Sequence, residues 1–417
     1  MAVPTKQYPR VGLDGPAEFM AKSAPLASQG APRTSRSTSV RLSMLPLRIL
    51  LATSLIFTTS LLPAQNGEGV PAAVQESVDR AVRYLLDHQN PEHAFFGLDN
   101  DRRANPKQGD GRLRPPQYSS ALTGLSLMGL SSVGHLPSGQ GREAEAAARA
   151  LDYLLRDEVI DDRGYYGRTD NSQMYGHGIA TLALAEMLGM GRDEKQDQKC
   201  RERLEKAVEV IIRSQKVEKP GHLKGGWRYD PESRDSDISA SVWQVMALRG
   251  ARNAGLEIPN DSIRNAVNYI SRSYASARDG NGQPKDKEAG FYYQVTSGNK
   301  SFSTTAAGVL ALQVCGQYDA PEVLGGGNYL IKNPPKRGSS WFFYGLYYYS
   351  QGMNQLDGDF REISRKHVRD ILLESQDGDG SWRPHNGSEG RLGKAYGTSM
   401  ALLSLSVQHQ YLPIYQR

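Results

Sequence analysis

Cysteine is scarce in this 417-residue chain, with only Cys200 and Cys315 present. Two thiols cannot build the disulfide framework of a small stapled scaffold. Cys200 falls in a charged stretch and is expected at the surface; Cys315 follows the apolar run from Val309 to Val314 and is expected in the core. An excess of charge is missing as well. Residues 1–64 hold seven Lys/Arg and two acids, and the rest of the chain balances 43 basic against 43 acidic residues, so the formal net charge of +5 belongs to the leader alone. A neutral body argues against nucleic-acid binding, which needs a basic patch. Long apolar runs are lacking too: Ile49 to Leu62 is short for a membrane span, which needs about 20 residues.

Around that run the residues have an order. Residues 1–43, rich in Ser, Pro, Arg and Ala without an apolar period, read as a disordered leader or as a start placed too early, with Met44 the alternative start. Residues 44–64 then give a basic segment ending at Arg48, the apolar core and the small-residue end Pro63-Ala64, which is the pattern of a signal peptide. Export to the periplasm or exterior with cleavage after Ala64 is expected; an uncleaved anchor with peripheral membrane contact is the alternative. Residues 65–77 read as a linker and 78–417 as the folded domain.

From Val78 onward one pattern recurs: an amphipathic helix, a Gly/Asp-rich turn that often ends in an aromatic, and a helix rich in Ala, Leu, Ser and Gly. First helices are expected near Val78, Ala148, Leu204, Ile263, Pro321 and Ile363, and second helices near Tyr118, Tyr175, Asp235, Ser301, Phe343 and Ala395. The first set is charged on one face, as an outer layer is; the second is apolar nearly all round, as an inner layer is. Six such hairpins can close an α6/α6 ring, and an open solenoid of stacked hairpins is the alternative. The expected class is all-α.

The segment Gly225 to Leu248 carries the chemistry. It joins Gly225-Gly226-Trp227 to Asp235 and Asp237, which open the apolar helix containing Ser239, Ala240, Trp243 and Gln244. This pattern resembles the squalene and oxidosqualene cyclases, whose catalytic acid lies in Asp-x-Asp-Asp-Thr-Ala or Asp-Cys-Thr-Ala. It also resembles the prenyltransferase β-subunits, whose zinc-binding Asp-x-Cys precedes Phe-Trp-Gln. The turn from Gln376 to Trp382 is similar to the glutamine–tryptophan repeat of terpenoid cyclases, which implies that Gln caps a neighbouring helix and Trp packs over it. Ser214-Gln215 with Trp227 resembles a second copy. Against the zinc pattern, Ser239 replaces the thiolate and Gly397 the imidazole, so no metal and no other cofactor is expected. Asp377 and Asp379 do not start a calcium loop, because Trp382 and Ser388 stand where Gly and Glu are required.

The resemblance implies that Asp237 is a proton-donating acid with Asp235 as its helper, although Ile238 takes the place of the third Asp. A purely structural role, capping the inner helix, is the competing reading. Tyr175, Trp243, Trp341, Phe342 and Tyr396 are expected at the cavity as cation-stabilising rings, with packing between layers as the alternative. His177 is expected at the cavity mouth. The expected function is an exported toroid that binds an apolar, isoprenoid-like small molecule or lipid and cyclises or isomerises it by acid catalysis. The alternative is a non-catalytic module for a lipid, glycan or peptide. A carbohydrate-active toroid would need a second carboxylate across the cavity.

Overall fold

A computed structural model describes residues 70–101, 113–295, 298–385, 387–408 and 411–415. All lie within the compact unit Gly67–Arg417. The expected leader and signal segment fall outside the described residues. Among the described residues no helix is long and apolar enough to cross a membrane.

The described chain is all-α. The outer helices are α1 (Ala72–His88), α3 (Arg142–Leu154), α5 (Glu194–Gln215), α7 (Asn260–Arg272), α9 (Pro321–Lys332) and α11 (Gly358–Leu373). The inner helices are α2 (Ser119–Ser132), α4 (Gln173–Met187), α6 (Ile238–Asn253), α8 (Phe302–Val314), α10 (Phe342–Gln355) and α12 (Gly393–Leu405). Every inner helix starts within three residues of its expected position. Most outer helices start earlier than expected. α1 begins inside the stretch read as linker, and α5 begins ten residues before Leu204, where Asp193 accepts the Gln196 N–H and caps a highly charged first half. That half is amphipathic all the same. Cys200 is fully buried with its thiol on the Leu184 carbonyl, contrary to the expected exposure, while Cys315 ends α8 only partly covered.

Burial separates the two layers. Every residue of α2 and α10 is buried, whereas α1 buries one stripe of Val74, Val78, Ala81, Val82 and Leu85. Small residues let the inner helices approach: a Cβ on Gly124 would lie 3.2 Å from Ile179, and one on Gly178 would lie 2.8 Å from the Trp243 side chain.

The inner helices contact one another in order from α2 to α12, and α12 returns to α2. Ser126 and Ser399 hydroxyls share a 2.9 Å hydrogen bond at that seam. The outer layer closes as well, since the Gln376 side chain donates to the Ser77 carbonyl of α1 at 2.9 Å. The structure is therefore a closed α6/α6 toroid and not an open solenoid.

Candidate functional site

One hydrogen-bond pattern, repeated around the ring, fixes where the chemistry sits. The turn before an inner helix ends in an aromatic whose backbone N–H is received by a side chain in that helix. Phe96 donates to Thr123, Trp227 to Ser241, Phe291 to Thr305 and Trp382 to Thr398. Tyr166 donates to His177 Nδ1 at 3.3 Å, so His177 takes the Ser/Thr position of this repeat. Its Nε2 meets the Ala207 carbonyl of outer helix α5 at 3.1 Å, and burial lowers its imidazole to about 4. His177 is thus a neutral bridge between layers and does not reach the mouth expected for it.

Five of the six inner N-termini are tied to the loop leading into the next inner helix, which sets them at one end of the ring. Met174 N–H meets the Tyr229 carbonyl, Ile238 N–H the Tyr293 carbonyl, Ser120 N–H the Asp170 carboxylate, Tyr344 N–H Glu389, and Lys394 N–H Asp99. Free helix N–H groups and the helix dipole both favour acids there. This end is the mouth, and Asp237 is one of several acids at it.

Asp237 is fully buried. Its Oδ1 accepts the Ala240 N–H at 2.8 Å, so the capping role is present. Its Oδ2 lies 3.1 Å from Arg228 Nε, close enough for an ion pair but without hydrogen-bonding alignment. Burial pushes this carboxyl up to about 7, and the Ala240 N–H and the Arg228 guanidinium keep it from rising further. Arg228 also holds the half-exposed Asp235 at 3.0 Å through Nη1. The expected acid and helper therefore share one guanidinium, a residue that the sequence reading passed over although it stands directly after Trp227.

Tyrosines surround the pair. Arg228 lies 4.6 Å above the Tyr229 ring and 5.7 Å from Tyr293, whose hydroxyls bond each other. Tyr175 packs against Tyr229 at 5.7 Å. Tyr344 donates to the Ser239 carbonyl, beside Asp237, and meets Trp341 edge-on at 6.2 Å. Trp341 is 43% exposed, and its backbone is held left-handed at φ 56° as the N-cap of α10. Tyr396 donates to Glu389, a second buried acid that the sequence reading missed. Burial raises the Glu389 carboxyl, opposed by the Tyr344 N–H and the Tyr396 hydroxyl.

The two remaining expected aromatics are buried. Phe342 is buried edge-on against Phe343 and lines a cavity of about 30 Å³, room for a water. Trp243 stacks on Tyr347 at 5.8 Å inside the bore and touches Tyr348 at 5.6 Å; all three are at most 1% exposed. The bore is therefore filled with rings where an enclosed apolar substrate was expected to lie. At the position compared with a zinc-binding histidine, any side chain on Gly397 would collide with the Trp382 carbonyl. Among the described residues, no group of three His, Cys, Asp or Glu is placed to hold a metal ion.

This architecture is the α/α toroid. No protein-family model and no curated protein sequence matches the chain. Among solved structures, an inactive variant of a Salegentibacter alpha-1,6-mannanase in complex with alpha-1,6-mannotriose superposes with a TM-score of 0.54 at 10% identity, covering 80% of this chain and 98% of that one. Cellobiose 2-epimerase from Bacillus thermoamylovorans does so with 0.54 at 12%, covering 80% and 99%. A variant of the type II terpene cyclase MstE from Scytonema, with its geranylgeranyl dihydroxybenzoate substrate, gives 0.50 at 15%, covering 82% and 98%. At such identities the common ground is the fold.

Proposed function

We propose that this chain is an exported glycan-binding toroid whose ligand lies across the mouth, on Trp341 and the Arg228–Asp235 pair. The observation that carries the reading is the exposed Trp341 ring. A large aromatic left in solvent, on a strained backbone, beside a polar cluster is the combination that stacks on a sugar face while charged groups take its hydroxyls. Two of the toroids that superpose on this chain are described as a mannanase and a cellobiose epimerase, which agrees with this choice. Export after cleavage near Ala64 belongs to the same proposal, since glycans are abundant outside the cytoplasm. Calorimetric titration with mannose- and glucose-based oligosaccharides tests it. Binding is expected in the unmodified protein, with a loss of at least about tenfold in Trp341→Ala. No binding to any of these sugars would refute the reading.

A second reading is favoured by the burial that pushes Asp237 up to about 7, the range of a general acid. In it, Asp237 protonates an isoprenoid or its epoxide. The filled bore and the adjacent guanidinium oppose it. Incubation with squalene, its epoxide and geranylgeranyl compounds checks it, and turnover that falls about a hundredfold in Asp237→Asn would establish it.

A further inference from the structure

At the end of the ring away from the mouth, residues 411–415 enter the bore. After α12 and a 3-10 turn at Ser406–Gln408, residues 411–415 run back over the inner helices, and Pro413–Tyr415 turns against α6. Tyr411 is 53% exposed and lies beside Gly134, just past the C-terminus of α2. Leu412, Ile414 and Tyr415 are each about 5% exposed. The segment is thus an apolar run that enters from solvent and ends in a buried ring.

Its contacts are those of a bound peptide. Ile414 donates its backbone N–H to Glu186 Oε2 of α4 at 3.1 Å. The Tyr415 hydroxyl bonds that of Tyr347 in α10, and their rings meet edge-on at 6.4 Å. The wall continues through Tyr347 to Trp243. One backbone hydrogen bond, one phenol pair and apolar contacts are the recognition chemistry of an extended ligand, whereas an inner helix is held by its own backbone ladder. The walls also keep polar capacity that the tail does not use. Glu186 Oε1 is buried in this region without a hydrogen-bond partner, and buried polar atoms of folded proteins are seldom left so. The pocket therefore offers more bonds than its occupant makes.

We propose that the end of the bore bounded by α4, α6 and α10 is a peptide-binding pocket, occupied in cis by residues 411–415 and able to take a second peptide of the same aliphatic-to-aromatic chemistry when the tail leaves. In sequence the segment follows the preceding turn after two residues, so its effective concentration is high, on the order of millimolar, and a peptide from outside must outcompete it.

The test uses the full chain. Hydrogen exchange of the Ile414 amide is expected to be at least about a hundredfold faster than that of the mid-α10 amides, because the tail opens locally. Equal protection would make the tail part of the cooperative core and overturn the proposal. A fluorescent peptide with the sequence of residues 411–415 is then titrated. Saturable binding is expected to full-length Tyr415→Ala, at least about tenfold tighter than to the unmodified chain, and is lost in Tyr415→Ala combined with Glu186→Ala. A Tyr415→Ala protein that melts cooperatively but fails to bind the peptide refutes the pocket. If Tyr415→Ala does not fold, Tyr415→Phe, which loses only the phenol pair, takes its place with the same expected order.

Discussion

Glu186 is buried with little company: among the described residues, its carboxylate takes a hydrogen bond from the Ile414 N–H and is set chiefly by burial. Burial pushes its carboxyl from an ordinary 4.5 to about 8. The folded state thus holds the proton more tightly than the unfolded chain. The associated stability is fully present below about pH 4.5 and is lost as pH rises through 8. Urea unfolding between pH 5 and 9 should show this decline, and Glu186→Gln should remove it while keeping an acceptor for Ile414; an unchanged slope would mean that Glu186 does not ionise in this range. Asp237 answers to the Ala240 N–H, the Arg228 guanidinium and the Tyr293 hydroxyl, and its capping and charge roles should separate by substitution. Asp237→Asn keeps the cap on Ala240 and should cost about 1 kcal/mol, while Asp237→Ala loses cap and pair together and should cost about 3 kcal/mol, read from urea midpoints.

Between repeats, glutamine is the fastener. Gln376 donates to the Ser77 and Gly380 carbonyls, Gln215 to Ser262 and Gly225, and Gln89 to Ala146 and Ala94, so each binds its own turn to the next outer helix. The tryptophans complete the copies that the sequence shows: Trp382 donates to the Leu372 carbonyl and Trp227 to that of Ile211, each at an outer helix's C-terminal turn. Gly380 is left-handed at φ +87°, and any side chain there would press on the Arg80 carbonyl. Each of Gln89→Ala, Gln215→Ala and Gln376→Ala should destabilise by about 2 kcal/mol, because two acceptors lose their donor. Thermal melts of the three variants check this. A value near zero for Gln376 would mean that the seam between α11 and α1 does not depend on it. The Gln89 copy was invisible in sequence because Phe96 replaces the tryptophan. Phe96 keeps the buried ring and the backbone N–H that reaches Thr123, and lacks only the indole donor.

Across the molecule, closure makes every repeat depend on two neighbours. An open stack unzips from its ends, whereas a closed ring has none. Single-tryptophan variants retaining only Trp227 or only Trp382, which sit in different repeats, should therefore report one coincident unfolding transition. Separate midpoints would show that the ring opens before it melts.

Periodicity alone set the number of hairpins, their inner and outer faces and the inner helix starts, because burial imposes a helical period on residues near in sequence. It also put Asp237 at a helix start, where a carboxylate and a free N–H are only three residues apart. The tertiary structure decided what is distant in sequence. Arg228 joins Asp235 to Asp237 only because the turn folds back on itself, His177 turns outward to α5, and Glu389 reaches α10 from the next loop. The filling of the bore by Trp243, Tyr347 and the C-terminal turn was likewise beyond the pattern. An apolar inner face reads the same whether it lines a cavity or packs against a ring from another helix, and only the closed toroid fixes which of these it does.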